Sequence, residues 1–117
     1  MAIATPATGR RILPRMALPH GFHWIRSSPN QAAEDVLAHE FCWVAQLYQR
    51  VDNLKWFARL DVQLEGQGKK RPPRLCQSYW TGRAGIEQWV VRHQERLRAE
   101  VAAVRAAKEA GKVRGID

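Results

Sequence analysis

Cysteine is scarce. Cys42 and Cys76 are the two in the chain, too few for a disulfide framework and not spaced as a C-x-x-C pair. They read as free, mostly buried thiols of a reducing compartment, with one bridge open to them if they lie on neighbouring strands. Long apolar runs are missing too. Nothing approaches the ~18 uninterrupted apolar residues of a membrane span, which excludes an integral helical membrane protein. The glycines form no phosphate loop or dinucleotide fingerprint: Gly66, Gly68, Gly82 and Gly85 lack the strand-to-helix setting such loops need. Acid is the scarce charge, with 11 Asp and Glu against 19 Lys and Arg, a formal net charge of +8. Polyanions and acidic surfaces are the partners that such a balance attracts.

What remains is enough for one domain. The 117 residues are 45% hydrophobic and include five tryptophans, so the chain can bury a core and is not disordered throughout. Residues 1–20 read as a flexible basic arm carrying Arg10, Arg11 and Arg15, free of acid and interrupted by Pro6, Pro14 and Pro19. The arm lacks the apolar core of a secretory signal, and its prolines break the amphipathic helix of a transit peptide, so a cytoplasmic location is expected. Residues 21–117 read as a single small α+β domain.

Within it, 21–27 suggests a short edge strand with Phe22 and Trp24 on one face. Ser28-Pro29-Asn30-Gln31 carries helix-start signals, with Ser28 as N-cap, Pro29 at the first helical position and Gln31 in a capping box. They predict a short helix over 32–39 that buries Val36 and Leu37. Strand formers fill 41–50. In 54–64 the residues Trp56, Ala58, Leu60, Val62 and Leu64 alternate with Phe57, Arg59, Asp61 and Gln63, the period of a half-buried strand. Val51-Asp52-Asn53 is the turn between them, and Trp43, Ala45 and Leu47 should share the buried face. After the loop 65–74, a third strand is expected over 74–80. Thr81 is then a candidate N-cap for a long helix over about 82–110, ended by Gly111. Its stripe of Ile86, Trp89, Val90, Leu97, Val101 and Val104, with His93, recurs at helical spacing. The expected fold is therefore α+β: a short helix, a three-stranded antiparallel sheet and a long C-terminal helix packed on it.

The basic loop is the leading functional signal. Lys69, Lys70, Arg71 and Arg74 lie together with no acid among them, and Pro72 and Pro73 stiffen the backbone that presents them. Phosphate backbones reward such a cluster through counterion release. The competing reading is a solvated loop. Tyr79 and Trp80 could stack on bases, and Trp24, Trp80, Tyr79 and Arg83 form a candidate interface, since Trp and Arg anchor hot spots. The cations of the long helix are interleaved with acids, among them the i,i+4 pairs Arg96–Glu100 and Arg105–Glu109, which suits a solvated face. His20-x2-His23 and His39-x2-Cys42 have zinc-like spacing, but chance explains it better, and no metal or cofactor is expected. Cys76 with His93 is the one nucleophile–base pairing worth naming. Both fall on apolar faces, so no enzyme is expected.

The order helix–three strands–helix resembles that of double-stranded-RNA-binding domains. The resemblance is topological only, because Thr81-Gly82-Arg83-Ala84-Gly85 lacks their lysine-rich run and Val51-Asp52-Asn53 lacks their Gly-Pro-His-type loop. The run Cys76-Gln-Ser78-Tyr79-Trp-Thr-Gly82-Arg83-Ala-Gly85-Ile-Glu87-Gln-Trp89-Val-Val-Arg92-His93 resembles a motif of small accessory proteins encoded by bacterial phages and prophages. It implies a protein that works by binding nucleic acid or a host complex that it inhibits. Two functions are thus expected: a non-enzymatic protein gripping nucleic acid by its basic loop and arm, or an inhibitor seated on an acidic host protein surface in the defence or transcription machinery. A homodimer through the long helix, along Val90, His93, Leu97, Glu100 and Val104, is compatible with both.

Overall fold

The computed structural model describes residues 18–116. Five strands form one antiparallel sheet: β1 (Phe22–Ile25), β2 (Val36–His39), β3 (Cys42–Gln49), β4 (Trp56–Leu60) and β5 (Arg74–Cys76). Their spatial order is their chain order, β1-β2-β3-β4-β5. A 3-10 helix (Val62–Gln67) follows β4, and one long helix, α1 (Tyr79–Ile116), completes the fold. The class is α+β with an antiparallel sheet and a long C-terminal helix, but the sheet has five strands rather than three.

The expected helix over 32–39 is absent, and with it the order of a double-stranded-RNA-binding domain. Its start signals make a turn instead. The Ser28 hydroxyl accepts from the Asn30 amide at 3.2 Å, and the Ser28 carbonyl accepts from the Gln31 amide at 3.1 Å. Gln31 donates its side-chain amide to the Asp35 carboxylate at 3.0 Å, beside the Ser27 amide at 2.7 Å and hydroxyl at 2.6 Å. Asp35 is thereby satisfied although buried. Val36, Leu37 and Ala38, all fully buried, then run as β2 between β1 and β3.

The β3–β4 hairpin is as read. Ala45 pairs with Leu60 and Leu47 with Ala58, all four buried. An irregularity in the β2–β3 ladder leaves Val44 unpaired between Trp43 and Ala45. Such a bulge reverses the alternation. Val44 is therefore fully buried, Cys42 packs on the core, and Trp43 stays half-buried with Ala38 opposite, not on the core face expected of it. β4 stops at Leu60, because Asp61 adopts a left-handed conformation (φ 58°) and turns the chain into the 3-10 helix. Val62 and Leu64 are half-buried there and not on a strand.

β5 ends at Cys76, so Tyr79 and Trp80 belong to α1, not to a strand. Ser78, rather than Thr81, caps the helix: its hydroxyl accepts from the Thr81 amide at 3.1 Å. α1 runs on through Gly111. It bends at His93 (φ −116°), where the Gln94 side chain donates to the Val91 carbonyl at 3.1 Å, the kind of intrusion that kinks a helix. Ile86, Trp89, Val90, Leu97 and Val101 bury their side chains against Phe22, Trp24, Leu37, Ala45, Leu47, Ala58 and Leu60. Leu18, inside the span read as arm, also packs on this cluster. At Gly82 the helix lies so close to the sheet that a Cβ would come within 2.6 Å of Leu47 Cδ2 and 3.0 Å of Cys76 Sγ. Val90 and Leu97, two positions of the candidate dimer seam, are fully buried in the chain's own core.

Candidate nucleic-acid interface

The basic loop is anchored at one of its four cations. Arg71 donates to Asp61 Oδ2 at 2.6 Å, and Arg96 of α1 donates to Asp61 Oδ1 at 3.1 Å and to Glu100 at 2.9 Å. Gln63 joins by donating to Glu100 at 2.6 Å. Asp61 is buried, which pushes its carboxyl up, but the hydrogen bonds and charges of Arg71 and Arg96 pull it further down, below its ordinary range. Arg71 is thus a strut that ties the loop to the end of β4 and to α1. Lys69, Lys70 and Arg74 are exposed and form no ion pair among the described residues. Arg10, Arg11 and Arg15 lie outside the described residues.

The structure gathers Trp24, Tyr79, Trp80 and Arg83 into one cluster. The Arg83 guanidinium stacks over the Trp24 ring at 4.5 Å and lies 5.9 Å from the Trp80 ring. It donates to the Tyr79 hydroxyl at 2.8 Å and to Glu34 at 3.2 Å. The Tyr79 hydroxyl donates in turn to the Glu34 carbonyl at 2.6 Å, and Trp24 Nε1 donates to Glu87 at 2.8 Å. Trp24 is buried and Tyr79 half-buried, so the cluster mainly fastens the start of α1 to β1 and to the loop before β2. Trp80 is its exposed member, at 70%.

Beside it, Leu54, Lys55, Trp56, Leu75, Cys76 and Gln77 line an open cavity of about 360 Å³. Leu54 and Leu75 are 67% and 62% exposed there. Leu54 holds a left-handed backbone (φ 59°), a conformation a leucine adopts at a cost.

One face of the sheet meets α1. The ladder assigns the other face its own residues: His23, Ala38 and Trp43 in one row; Ile25, Val36, Gln46 and Arg59 in the next; and Tyr48, Phe57 and Leu75 in a third. Arg59 donates to Gln46 at 2.5 Å and is paired with Glu65 of the 3-10 helix. Tyr48 and Phe57 stack on each other, with centroids 5.8 Å apart and planes 22° apart. Attention to the buried face of the hairpin overlooked this pair, although alternation already places Tyr48 of the first strand and Phe57 of the second together on the opposite face.

Neither reactive pairing is assembled. Cys76 Sγ faces Gly82, eleven residues and about 16 Å of helix before His93, and His93 lies against the Trp89 ring. Cys42 and Cys76 are free, on strands separated by β4. Burial pushes both thiols above their ordinary range, away from the reactive thiolate. Among the described residues no three His, Cys, Asp or Glu side chains gather as metal ligands. No helix among them is long and apolar enough to cross a membrane. Comparison with protein-family models, with curated proteins and with solved structures finds no match to the chain.

Proposed function

We propose that the protein is a non-enzymatic accessory protein of phage or mobile-element type that binds nucleic acid through its basic loop. One observation carries the reading. Lys69, Lys70 and Arg74 stand exposed without carboxylate partners among the described residues, on a loop whose base is tied down by Arg71 and Asp61. Three unneutralised cations on a tethered loop suit a phosphate backbone, because the tie at Arg71 leaves less loop ordering to oppose binding.

The test is fluorescence anisotropy of the nuclease-treated protein with labelled duplex and single-stranded oligonucleotides over a range of salt. Replacing Lys69, Lys70 and Arg74 by alanine is expected to weaken binding and to reduce the log–log salt slope by about 2 to 3. Unchanged affinity and slope sink the loop assignment. A second reading, a modulator of a host protein complex, is favoured by the exposed Leu54 and Leu75 that line the cavity, since exposed apolar surface marks protein contacts. A partner complex that survives nuclease treatment and is lost in Leu75→Asp selects that reading.

A further inference from the structure

Resting on the nucleic-acid reading, we propose that the sheet face opposite α1 is a stacking platform for the unpaired bases of a single strand, with Tyr48 and Phe57 as the stacking rings. The helix covers the face of Ala45, Leu47, Ala58 and Leu60. An antiparallel sheet with one face toward water ordinarily carries polar residues there. Gln46 and Arg59 obey that rule, although Ile25 and Val36 extend their row across β1 and β2 and Val36 is fully buried. The adjacent row does not, for Tyr48, Phe57 and Leu75 lie side by side across β3, β4 and β5. None of the three is buried, and Leu75 is 62% exposed. The two rings stack on each other with planes 22° apart, so a base extends that stack from an outer ring face.

The charge around this row selects a polyanion rather than an apolar protein segment. β5 runs antiparallel to β4, with Arg74 opposite Ala58 and Cys76 opposite Trp56. The loop that carries Lys69 and Lys70 therefore reaches β5 on one side of the row, and Lys55, just before β4, stands on the other; Arg74 itself shares the register of Ala58 and with it the face that α1 covers. Arg59 lies on the ring face and is paired with Glu65. Lys55, Lys69 and Lys70 form no ion pair among the described residues, and Asp52 in the β3–β4 turn is matched by Arg50 at 2.8 Å. Aromatic faces bracketed by cations can receive bases and phosphates of one strand together. A duplex keeps its bases stacked inside and can offer this face only its backbone. The loop alone would hold either form; the platform makes the protein prefer the single strand.

The experiment compares a labelled 12-nucleotide single strand, as RNA and as DNA, with the duplex of the same sequence, using the full chain at near-physiological salt. The single strand, of either sugar, is expected to bind at least tenfold tighter than the duplex. Tyr48→Leu with Phe57→Leu is expected to cost tenfold or more in single-strand affinity while leaving the salt slope unchanged. Tyr48→Phe with Phe57→Tyr, which keeps both rings, is expected to retain wild-type affinity. Duplex binding equal to single-strand binding overturns the platform, as does a folded leucine variant with undiminished affinity. In both cases a slope that still depends on Lys69, Lys70 and Arg74 leaves the loop reading standing. No binding to any probe overturns both. Should the leucine variant fail to fold, the single-strand preference of the wild-type protein decides the matter.

Discussion

Asp61→Asn separates what the buried carboxylate does for the fold from what it does to the basic loop. The side chain is 6% exposed and binds Arg71 at 2.6 Å and Arg96 at 3.1 Å. Asparagine keeps the shape and one acceptor, and it tolerates the left-handed backbone that φ 58° demands. The change thus removes charge with little strain. A charge-assisted hydrogen bond contributes about 1.5–3 kcal/mol. The two arginine side chains are 42% and 37% exposed, so solvent reclaims part of that, and a net loss of about 1–2 kcal/mol is expected. Asp61→Ala should lose about 1 kcal/mol more, because alanine pays for the left-handed backbone. Urea denaturation followed by tryptophan fluorescence measures both, as lower midpoints at unchanged m. The pH dependence has a definite sign. Arg71 and Arg96 overcome burial and hold the folded-state pKa below the ordinary 3.8, so the carboxylate's contribution is complete above that value and is lost as pH falls through the lowered one. The gap between wild type and Asp61→Asn should therefore close in acid below pH 3.8. Losing the carboxylate also releases Arg71 to phosphate, so the salt slope of nucleic-acid binding should steepen by about one, while the untied loop, which must now be ordered on binding, gives back affinity. A variant as stable as wild type, or one with an unchanged salt slope, refutes this account.

Two glycines of one helix should respond in opposite directions. At Gly82 a Cβ meets Leu47 Cδ2 at 2.6 Å inside a fully buried contact, whereas at Gly85 nothing lies within 4 Å. Gly85→Ala should raise stability by about 0.5–1 kcal/mol through helix propensity, and Gly82→Ala should lower it by about 0.5–2 kcal/mol once overpacking is set against the same gain; thermal melts of the pair test this. Arg83→Ala should cost about 1–3 kcal/mol, since it removes the stack on Trp24 and the bonds to Tyr79 and Glu34, and lysine should rescue little of it; denaturation midpoints of the two variants check the order. His39 has a buried Nδ1 with no partner among the described residues, and burial lowers its pKa below 6.5. The folded state favours the neutral ring, so stability should fall as pH drops below 6.5 and level off below the folded value; a titration of stability in which His39→Leu keeps the same slope in that window counts against it.

The hairpin of β3 and β4 was legible because alternation over many residues leaves one assignment. β2 was not. Val36-Leu37-Ala38 is apolar without a period, since the strand is buried on both sides, and Ser28-Pro29-Asn30-Gln31 makes the local hydrogen bonds of a helix start without a helix after it. Only the Ser27–Asp35–Gln31 contacts and two flanking strands select the extended form, and no local pattern announces them. The Val44 bulge is likewise a property of the pairing with β2. At the candidate interface, composition alone picked out Lys69, Lys70 and Arg74 correctly as exposed cations. It could not separate Arg71 from them, because the distinction is made by Asp61, ten residues earlier, and Arg96, in the distant helix.

The strictly sequential order of the sheet has a consequence in time. Each strand meets the one made just before it, so pairing can proceed in the order of synthesis, and Cys76 is the last residue that the sheet needs. The 38-residue helix comes afterwards. At synthesis rates of about 5–20 residues per second, roughly 2–8 seconds separate the addition of Cys76 from that of Ile116. Any sheet that pairs before the helix docks leaves Leu37, Ala45, Leu47 and Leu60 without cover, and β1 and β5 are its two open edges. That is the stage most exposed to aggregation, and the charges of Lys69, Lys70 and Arg74 at the entry to β5 stand guard at one of those edges.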